Sequence, residues 1–336
     1  FMPSVAVFFG GASNESEVSV ITGMLAVNLL RGSKYTVVPV YLPPSGGMAT
    51  GNFKGVEDFA KPELRATPVR LEGKRLVRTG RHAKTVAEID VALNCCHGGM
   101  GEDGTLAALL AWNGVPSASP DAPSCGVFMD KSLSKLAAAG LGIPVAPSFT
   151  VREQAWRAGE TDAESLAQSL GYPVVVKPAK LGSSIGVRVA RGSAALRSAL
   201  SFAFGLDDSA VVERYFERKR DINCAAYRRR GKVLLSPCEE VFSGGDVLSF
   251  SEKYEQGKGS KLPADLPESL AERIRGYTKT LYEAFGMQGV VRADFLVSGD
   301  DAYFNELNMV PGSLAGYLFG SSLAEVKAFY LSLIDE

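Results

Sequence analysis

The sequence predicts an α/β protein in which an N-terminal doubly wound parallel sheet is followed by two α+β subdomains. Three observations carry that expectation. Apolar runs and helical stretches alternate through the first third of the chain. Two glycine-rich loops, residues 10–19 and 97–105, follow strands directly, and ligands in such sheets sit at strand carboxyl ends. From about Pro120 the texture changes, and Gly142-Ile143-Pro144-Val145-Ala146-Pro147 reads as an extended connector.

Taken in order, residues 5–9 form a continuous apolar strand, residues 17–30 a helix, and residues 35–41 and 89–94 two further strands. Residues 44–85, rich in Gly, Lys and Arg, read as irregular. Helices are expected at 131–141 and 163–170, with strands at 174–177 and 211–214 around the loop Gly182-Ser183-Ser184-Ile185-Gly186. Strands near 222–230 and 233–236 precede a polar stretch, 242–261, and a long helix at 267–285. Two final strands, 290–297 and 302–309, are joined by the tight turn Ser298-Gly299-Asp300-Asp301. The expected units are residues 1–119, 120–214 and 215–336.

Composition narrows the function classes. The chain has 336 residues, is 46% hydrophobic and carries a net charge of -1 from 36 basic and 37 acidic residues. That balance gives no reason to expect nucleic acid or an anionic membrane as partner. No apolar run approaches the roughly 18–20 residues of a membrane span. The opening Phe1-Met2-Pro3-Ser4 lacks a basic region and does not read as a secretory signal. Five cysteines, an odd number with no Cys-x-x-Cys pair, read as reduced thiols of a cytoplasmic protein. With two histidines, a His-based zinc site is not expected.

The closing strand pair is the most informative feature. A period of two puts Arg292 and Asp294 on one face of their strand, and Glu306 and Asn308 on one face of the next. Asp, Glu and Asn are hard oxygen ligands suited to Mg²⁺ held together with nucleotide phosphates, and the bland alternative is an exposed salt-bridged hairpin. Pro311-Gly312 makes a turn able to offer an N–H to an oxyanion. Lys177 ends a buried apolar strand, where an ammonium needs an anion. The loop 182–186 after it could cradle phosphate with backbone N–H groups or be a plain turn. It is neither a Walker loop nor a dinucleotide fingerprint. Glu213 and Asp221 could accept hydrogen bonds from adenine and ribose, or could be surface carboxylates. Glu17 could simply match its helix dipole. His97, in a four-glycine loop, has little core to join.

In this order the motifs resemble the D-alanine–D-alanine ligase family. They are Gly10-Gly11-x-Ser13-x-Glu15-x-Glu17-Val18-Ser19, residues 97–105, Met129-Asp130-Lys131, Lys177-Pro178, Gly182-Ser183-Ser184-x-Gly186, Lys253-Tyr254, Arg292-x-Asp294 and Glu306-x-Asn308-x-x-Pro311-Gly312. The resemblance implies a three-domain ATP-grasp enzyme, a homodimer using ATP, Mg²⁺ (or Mn²⁺) and D-alanine for peptidoglycan. It places Lys131, Lys177 and Ser184 on the nucleotide, Glu213 and Asp221 on adenine and ribose, and Lys253 on the γ-phosphate from a mobile lid. Asp294, Glu306 and Asn308 would hold the metal. Glu15 would bind the first ammonium in a network with Ser183 and Tyr254. His97, Arg292 and the Gly312 N–H would lie beside the reacting carboxylate. One departure stands out: Tyr317 occupies the place of a serine that grips the second substrate's carboxylate in the family. The resemblance therefore leaves D-serine, D-lactate or another acceptor open.

Overall fold

The computed structural model describes residues 2–61, 63–81, 83–242 and 259–336. Three sheets organise it. The first has the order β6-β5-β4-β3-β2-β1-β7, built from β1 (Ser4–Gly10), β2 (Thr36–Leu42), β3 (Met48–Thr50), β4 (Thr67–Glu72), β5 (Arg75–Arg78), β6 (Thr85–Glu88) and β7 (Val91–Asn94). Only β2, β1 and β7 run parallel. The stretch that reads as irregular in sequence adds four short antiparallel strands to their edge. β1 is apolar throughout because both faces are covered, and its Val5–Phe9 side chains are wholly buried.

Helix α1 (Ser16–Leu30) carries the chain from β1 to β2 on one side, and the chain returns to β7 on the other. The crevice between the carboxyl ends of β1 and β7 is therefore a topological switch point, and both glycine loops open onto it. Helix α2 (Thr105–Trp112) follows the second loop. Helices α3 (Ala122–Met129) and α4 (Lys131–Gly140) then lead to the second sheet. Asp130 caps α4 by accepting from the Ser132 and Leu133 amides, which sets Lys131 at the first helical position.

The second sheet has the order β10-β9-β11-β8 and is antiparallel. Its strands are β8 (Ser148–Arg152), β9 (Val174–Pro178), β10 (Arg188–Ala190) and β11 (Ser209–Arg214), covered by α5 (Glu153–Arg157), α6 (Ala163–Leu170) and α7 (Ser193–Ala203). The third comprises β12 (Arg220–Arg229), β13 (Lys232–Leu235), β14 (Glu239–Val241), β15 (Ser260–Lys261), β16 (Val290–Ser298) and β17 (Asp301–Asn308). Its order is β15-β14-β12-β16-β17, with β13 paired to β12. Helix α8 (Glu268–Ala284) packs Leu270, Ile274, Leu281 and Tyr282 on its apolar face, and α9 (Leu323–Ile334) closes the chain against α1.

Candidate active site

A cavity of about 540 Å³ is lined by strands of the second and third sheets and by the loops of the first unit that carry Glu15, His97 and Glu102. Strand register builds one wall. Asn223 pairs with Glu239 on one side and Asp294 on the other, and Asp294 pairs with Glu306. Four polar side chains thus stand in one row across β14, β12, β16 and β17, all lining the cavity. The next row holds Arg292 opposite Asn308. Arg292 grips Asp294 through two bonds, Nε to Oδ1 at 2.7 Å and Nη2 to Oδ2 at 2.8 Å. Asn308 Nδ2 donates to the same Oδ2 at 3.0 Å. The hairpin is neither exposed nor a plain salt bridge.

The register slips between Asp294 and Phe295, so that Phe295 faces Phe304 and Asn305 is the extra residue. Such a bulge re-aims a side chain. Asn305 turns into the cavity beside Glu306 and accepts from Lys177 Nζ at 2.9 Å. Strict alternation would have put it on the opposite face.

The facing wall carries the lysines. Lys177 on β9 lies 2.7 Å from Glu213 Oε2, and Lys135 on α4 lies 3.0 Å from Oε1. Burial alone would raise the Glu213 carboxyl, but the two ammonium groups outweigh it and hold it at about 2. Its carboxylate lines the cavity, is shared between two cations and fixes Lys177. Lys131 Nζ donates to the Leu181 carbonyl at the cavity edge. Asp221 lines the cavity on β12, held by Lys219 at 2.8 Å. Phe216 and Tyr303 stack with centroids 4.9 Å apart, and Phe216, Val175 and Leu296 make an apolar end to the cavity.

The loop after β9 holds two consecutive residues in the left-handed region, Ser183 (φ 51°) and Ser184 (φ 60°). Neither is glycine, so the conformation is strained, and both serines line the cavity. Ser183 Oγ donates to Glu15 Oε1. The glycines around Glu15 make room for it: a Cβ on Gly98 would come within 2.7 Å of Oε2, at a backbone φ of +68°.

His97 is buried, and both ring nitrogens are engaged. Its Nδ1 lies 2.7 Å from the Val310 carbonyl, which can only accept, so Nδ1 carries the proton. Nε2 then accepts from Thr22 Oγ1 at 2.8 Å, and Thr22 Oγ1 accepts from the Ser313 amide at 3.1 Å. Burial pushes the imidazole down to about 4, against the pull of the Val310 bond. His97 lines the cavity and, with Thr22, holds the 310–313 turn. That turn continues through Ser313, Leu314 and Ala315, all left-handed at φ 47° to 53°, and Gly312 at its head lines the cavity. Glu102, half-buried, accepts from the Gly98 amide at 3.0 Å and the Val310 amide at 3.2 Å. Burial and then the neighbouring Glu15 raise its carboxyl to about 7.

Lys253 and Tyr254 lie outside the described residues, although Val241, Gly259 and Ser260 on either side line the cavity. Sequence reasoning did not single out Lys135, Asn223, Glu239, Asn305 or Phe216. Among the described residues no group of three or more His, Cys, Asp or Glu side chains is arranged to hold a metal alone. Asp294, Glu306 and the Asn308 amide are nonetheless hard oxygen donors on one face, which fits an ion that brings phosphate ligands with it.

A lysine wall facing a carboxylate and amide wall, clasped between two α+β units, defines an ATP-grasp ligase. Family models of the D-ala D-ala ligase N-terminus and C-terminus match residues 4–120 and 137–336. The chain belongs to the D-alanine–D-alanine ligase family. It is 32% identical over 334 residues to the D-alanine–D-alanine ligase of Thermosipho africanus, covering 96% of this chain and 89% of that one. The crystal structure of the Helicobacter pylori D-alanine–D-alanine ligase superposes with a TM-score of 0.80 at 27% identity, covering 98% of each chain. VanG D-Ala:D-Ser ligase from Enterococcus faecalis superposes at 0.84 and 25% identity, covering 99% of each. No helix among the described residues is long and apolar enough to cross a membrane.

Proposed function

We propose that the protein joins two D-alanine molecules to D-alanyl-D-alanine for peptidoglycan, converting ATP to ADP and phosphate. The observation that carries this reading is the register-locked row of Asp294 and Glu306, facing Lys177 across the cavity with Arg292 beside it.

In this reading the adenine enters the apolar end at Phe216, Val175 and Leu296, with Asp221 at the ribose. Lys131, Lys177 and the Ser184 turn take the phosphates. Asp294, Glu306 and Asn308 would hold Mg²⁺ or Mn²⁺, which when bound would supply positive charge against the phosphates. Glu15, set by Ser183, binds the first D-alanine's ammonium. A carboxylate oxygen of that D-alanine bonds to the γ-phosphorus as the bridge to the β-phosphate breaks, giving ADP and an acyl phosphate. The amine of the second D-alanine, having lost a proton, bonds to the acyl carbon, and phosphate leaves. Arg292 and the Gly312 N–H face the oxyanion, where loss of one donor typically costs roughly 10²–10³ in rate. By the family resemblance Lys253 would serve the γ-phosphate and Tyr254 the Glu15–Ser183 network; both lie outside the described residues.

All five cysteines are free and buried, in keeping with a reducing cytoplasm. The homodimer belongs to the same reading and is checked by sedimentation. Tyr317 favours a second reading in which D-serine or D-lactate is the acceptor, and the likeness to a D-Ala:D-Ser ligase agrees with it. Phosphate release with Mg²⁺-ATP and D-alanine alone, with the dipeptide identified by mass spectrometry, tests the proposal. Release only after D-serine or D-lactate is added moves it to the second reading. No release with any D-substrate refutes both.

A further inference from the structure

Behind the carboxylate wall of the cavity, two of the cysteines meet. Asn223 on β12 and Glu239 on β14 are paired, and both line the cavity. The neighbours of that pair, Cys224 and Cys238, turn to the opposite face, as a period of two requires, and join the core cluster under α8. Cys238 Sγ lies 3.8 Å from the Ala271 carbonyl of that helix, and the two thiols are in hydrogen-bonding reach of each other. Residues opposite each other in an antiparallel pair have Cα atoms about 4.5–5.5 Å apart. A disulfide spans about 4.4–6.8 Å, so this pair can be bridged without moving the strands apart or together. Cys95 and Cys96, although adjacent in sequence, pack into separate clusters.

Arg275, also on α8, is close enough for its charge to act on both sulfurs. Its Nε is buried and has no hydrogen-bond partner among the described residues. The Cys224 thiol is pulled below its ordinary value by its bond with Cys238, against burial, with Thr278, Ser236 and Arg275 assisting. The same bond, and then burial, push the Cys238 thiol up. The pair therefore holds its protons unequally, with Cys224 the readier to act as a thiolate, the nucleophilic form of a cysteine. Arg275 also lines an open groove of about 600 Å³ with Arg229 and Lys279, so a single side chain separates the thiols from a solvent-facing surface.

We propose that Cys224 and Cys238 form a redox-active dithiol, oxidised by a hydroperoxide to a disulfide that slows the ligase. The Cys224 sulfur attacks a peroxide oxygen and the O–O bond breaks. The other oxygen leaves with the thiol proton, as an alcohol or as water, and Cys224 becomes a sulfenic acid. The Cys238 sulfur then displaces the sulfenic hydroxyl, which takes the Cys238 proton and leaves as water. The two sulfurs lose two electrons and the peroxide gains them. A small-molecule thiol reverses the step by exchange. In the bridged form the sulfurs stand about 2.0 Å apart, which draws Cys238 away from Ala271 and shifts the adjoining Glu239. Glu239 accepts from the Tyr317 hydroxyl at 3.0 Å, and Tyr317 belongs to the turn headed by Gly312. The bridge thus reaches the group expected at the oxyanion. Its effect on turnover rests on the ligase reading above; its formation does not.

The test treats the reduced full chain with hydrogen peroxide, removes the peroxide, blocks the remaining thiols and maps the disulfides by mass spectrometry. ADP release with Mg²⁺-ATP and D-alanine is measured on the same samples. A Cys224–Cys238 disulfide is expected as the main product, with a several-fold loss of turnover that dithiothreitol restores. Cys238→Ala and Cys224→Ala, each folded by circular dichroism, should keep their turnover through the same treatment. Thiols that stay free, or a disulfide through Cys95, Cys96 or Cys125 instead, overturn the dithiol. A Cys224–Cys238 disulfide with unchanged turnover, or alanine variants that lose turnover as the parent does, overturn the control of the ligase. Reduced protein that releases no ADP refutes the ligase reading, and the disulfide map still decides the dithiol.

Discussion

Glu213→Gln is the substitution whose consequence the geometry defines best. The carboxylate is 1% exposed and lies 3.0 Å from Lys135 and 2.7 Å from Lys177, whose side chains are themselves 6% and 12% exposed. Replacing it with an amide keeps the volume and leaves two ammonium groups facing each other with no anion between them. Two routes give the size of the effect. Breaking a buried ion pair by removing one partner costs about 3–5 kcal/mol. Holding a carboxyl at about 2 instead of 4.5 amounts to about 3 kcal/mol by linkage.

The pH window follows from the same shift. A carboxyl whose folded pKa is depressed contributes stability above its unfolded value, near 4.5, and loses it as pH falls through about 2. The variant's deficit should therefore be constant from pH 5 to 8 and shrink below pH 4. Urea unfolding of parent and variant across that range measures it. Lys135→Met should restore part of the lost stability in the double variant, because it removes one of the two orphaned charges. A deficit under about 1 kcal/mol at pH 7, or a double variant less stable than Glu213→Gln alone, would refute the argument that this carboxylate holds two buried cations.

Three further outcomes are expected. Glu306→Ala should abolish ADP release while leaving the circular dichroism spectrum and unfolding midpoint near parental values, since Glu306 faces the cavity and not a core; retained activity would remove it from the metal set. Thr22→Val should leave His97 Nε2 and the Ser313 amide without a partner, costing about 1–3 kcal/mol of stability and lowering kcat more than it raises KM for ATP. Glu102, raised to about 7, contributes stability below about 4.5 that is lost as pH climbs through 7. The Tm of the parent should thus fall relative to Glu102→Gln between pH 5 and 8, and parallel curves would contradict the raised value.

The legible parts of the fold and site were those that depend on period and on neighbours in sequence. β1, α6 and the β16–β17 pair follow from apolar runs and alternation, and Arg292, Asp294, Glu306 and Asn308 share a face because the period of a strand is two. What escaped depends on pairing. Glu239 and Glu240 are adjacent acidic residues, and only the Asn223–Glu239 register sends the first into the cavity while the second meets Arg220 at 2.7 Å. Asn305 reaches Lys177 because a bulge breaks the alternation that made its neighbour predictable. Lys135, in a polar helix, has no local mark of burial, since its partner is far along the chain on β11. The short strands between residues 48 and 88 are edge additions whose charged, glycine-broken sequence carries no clear period.

The same pairings show why the site is also the place where the three sheets are fastened together. Ser183 on the β9–β10 loop donates to Glu15 of the first unit. Lys177 on β9 reaches Asn305 on β17, joining the second sheet to the third. His97 and Thr22 of the first unit hold Val310 and Ser313, just beyond β17. Each contact is a polar bond made by a side chain that lines the cavity or by the turn beside it. A substitution chosen to disturb chemistry at Lys177 or Ser183 therefore also loosens one sheet from another, and loss of turnover alone cannot separate the two effects. Parallel measurement of nucleotide affinity and unfolding midpoint separates them, because a group that only fastens the sheets shifts the midpoint at every nucleotide concentration. One that binds phosphate shifts chiefly the dependence on nucleotide.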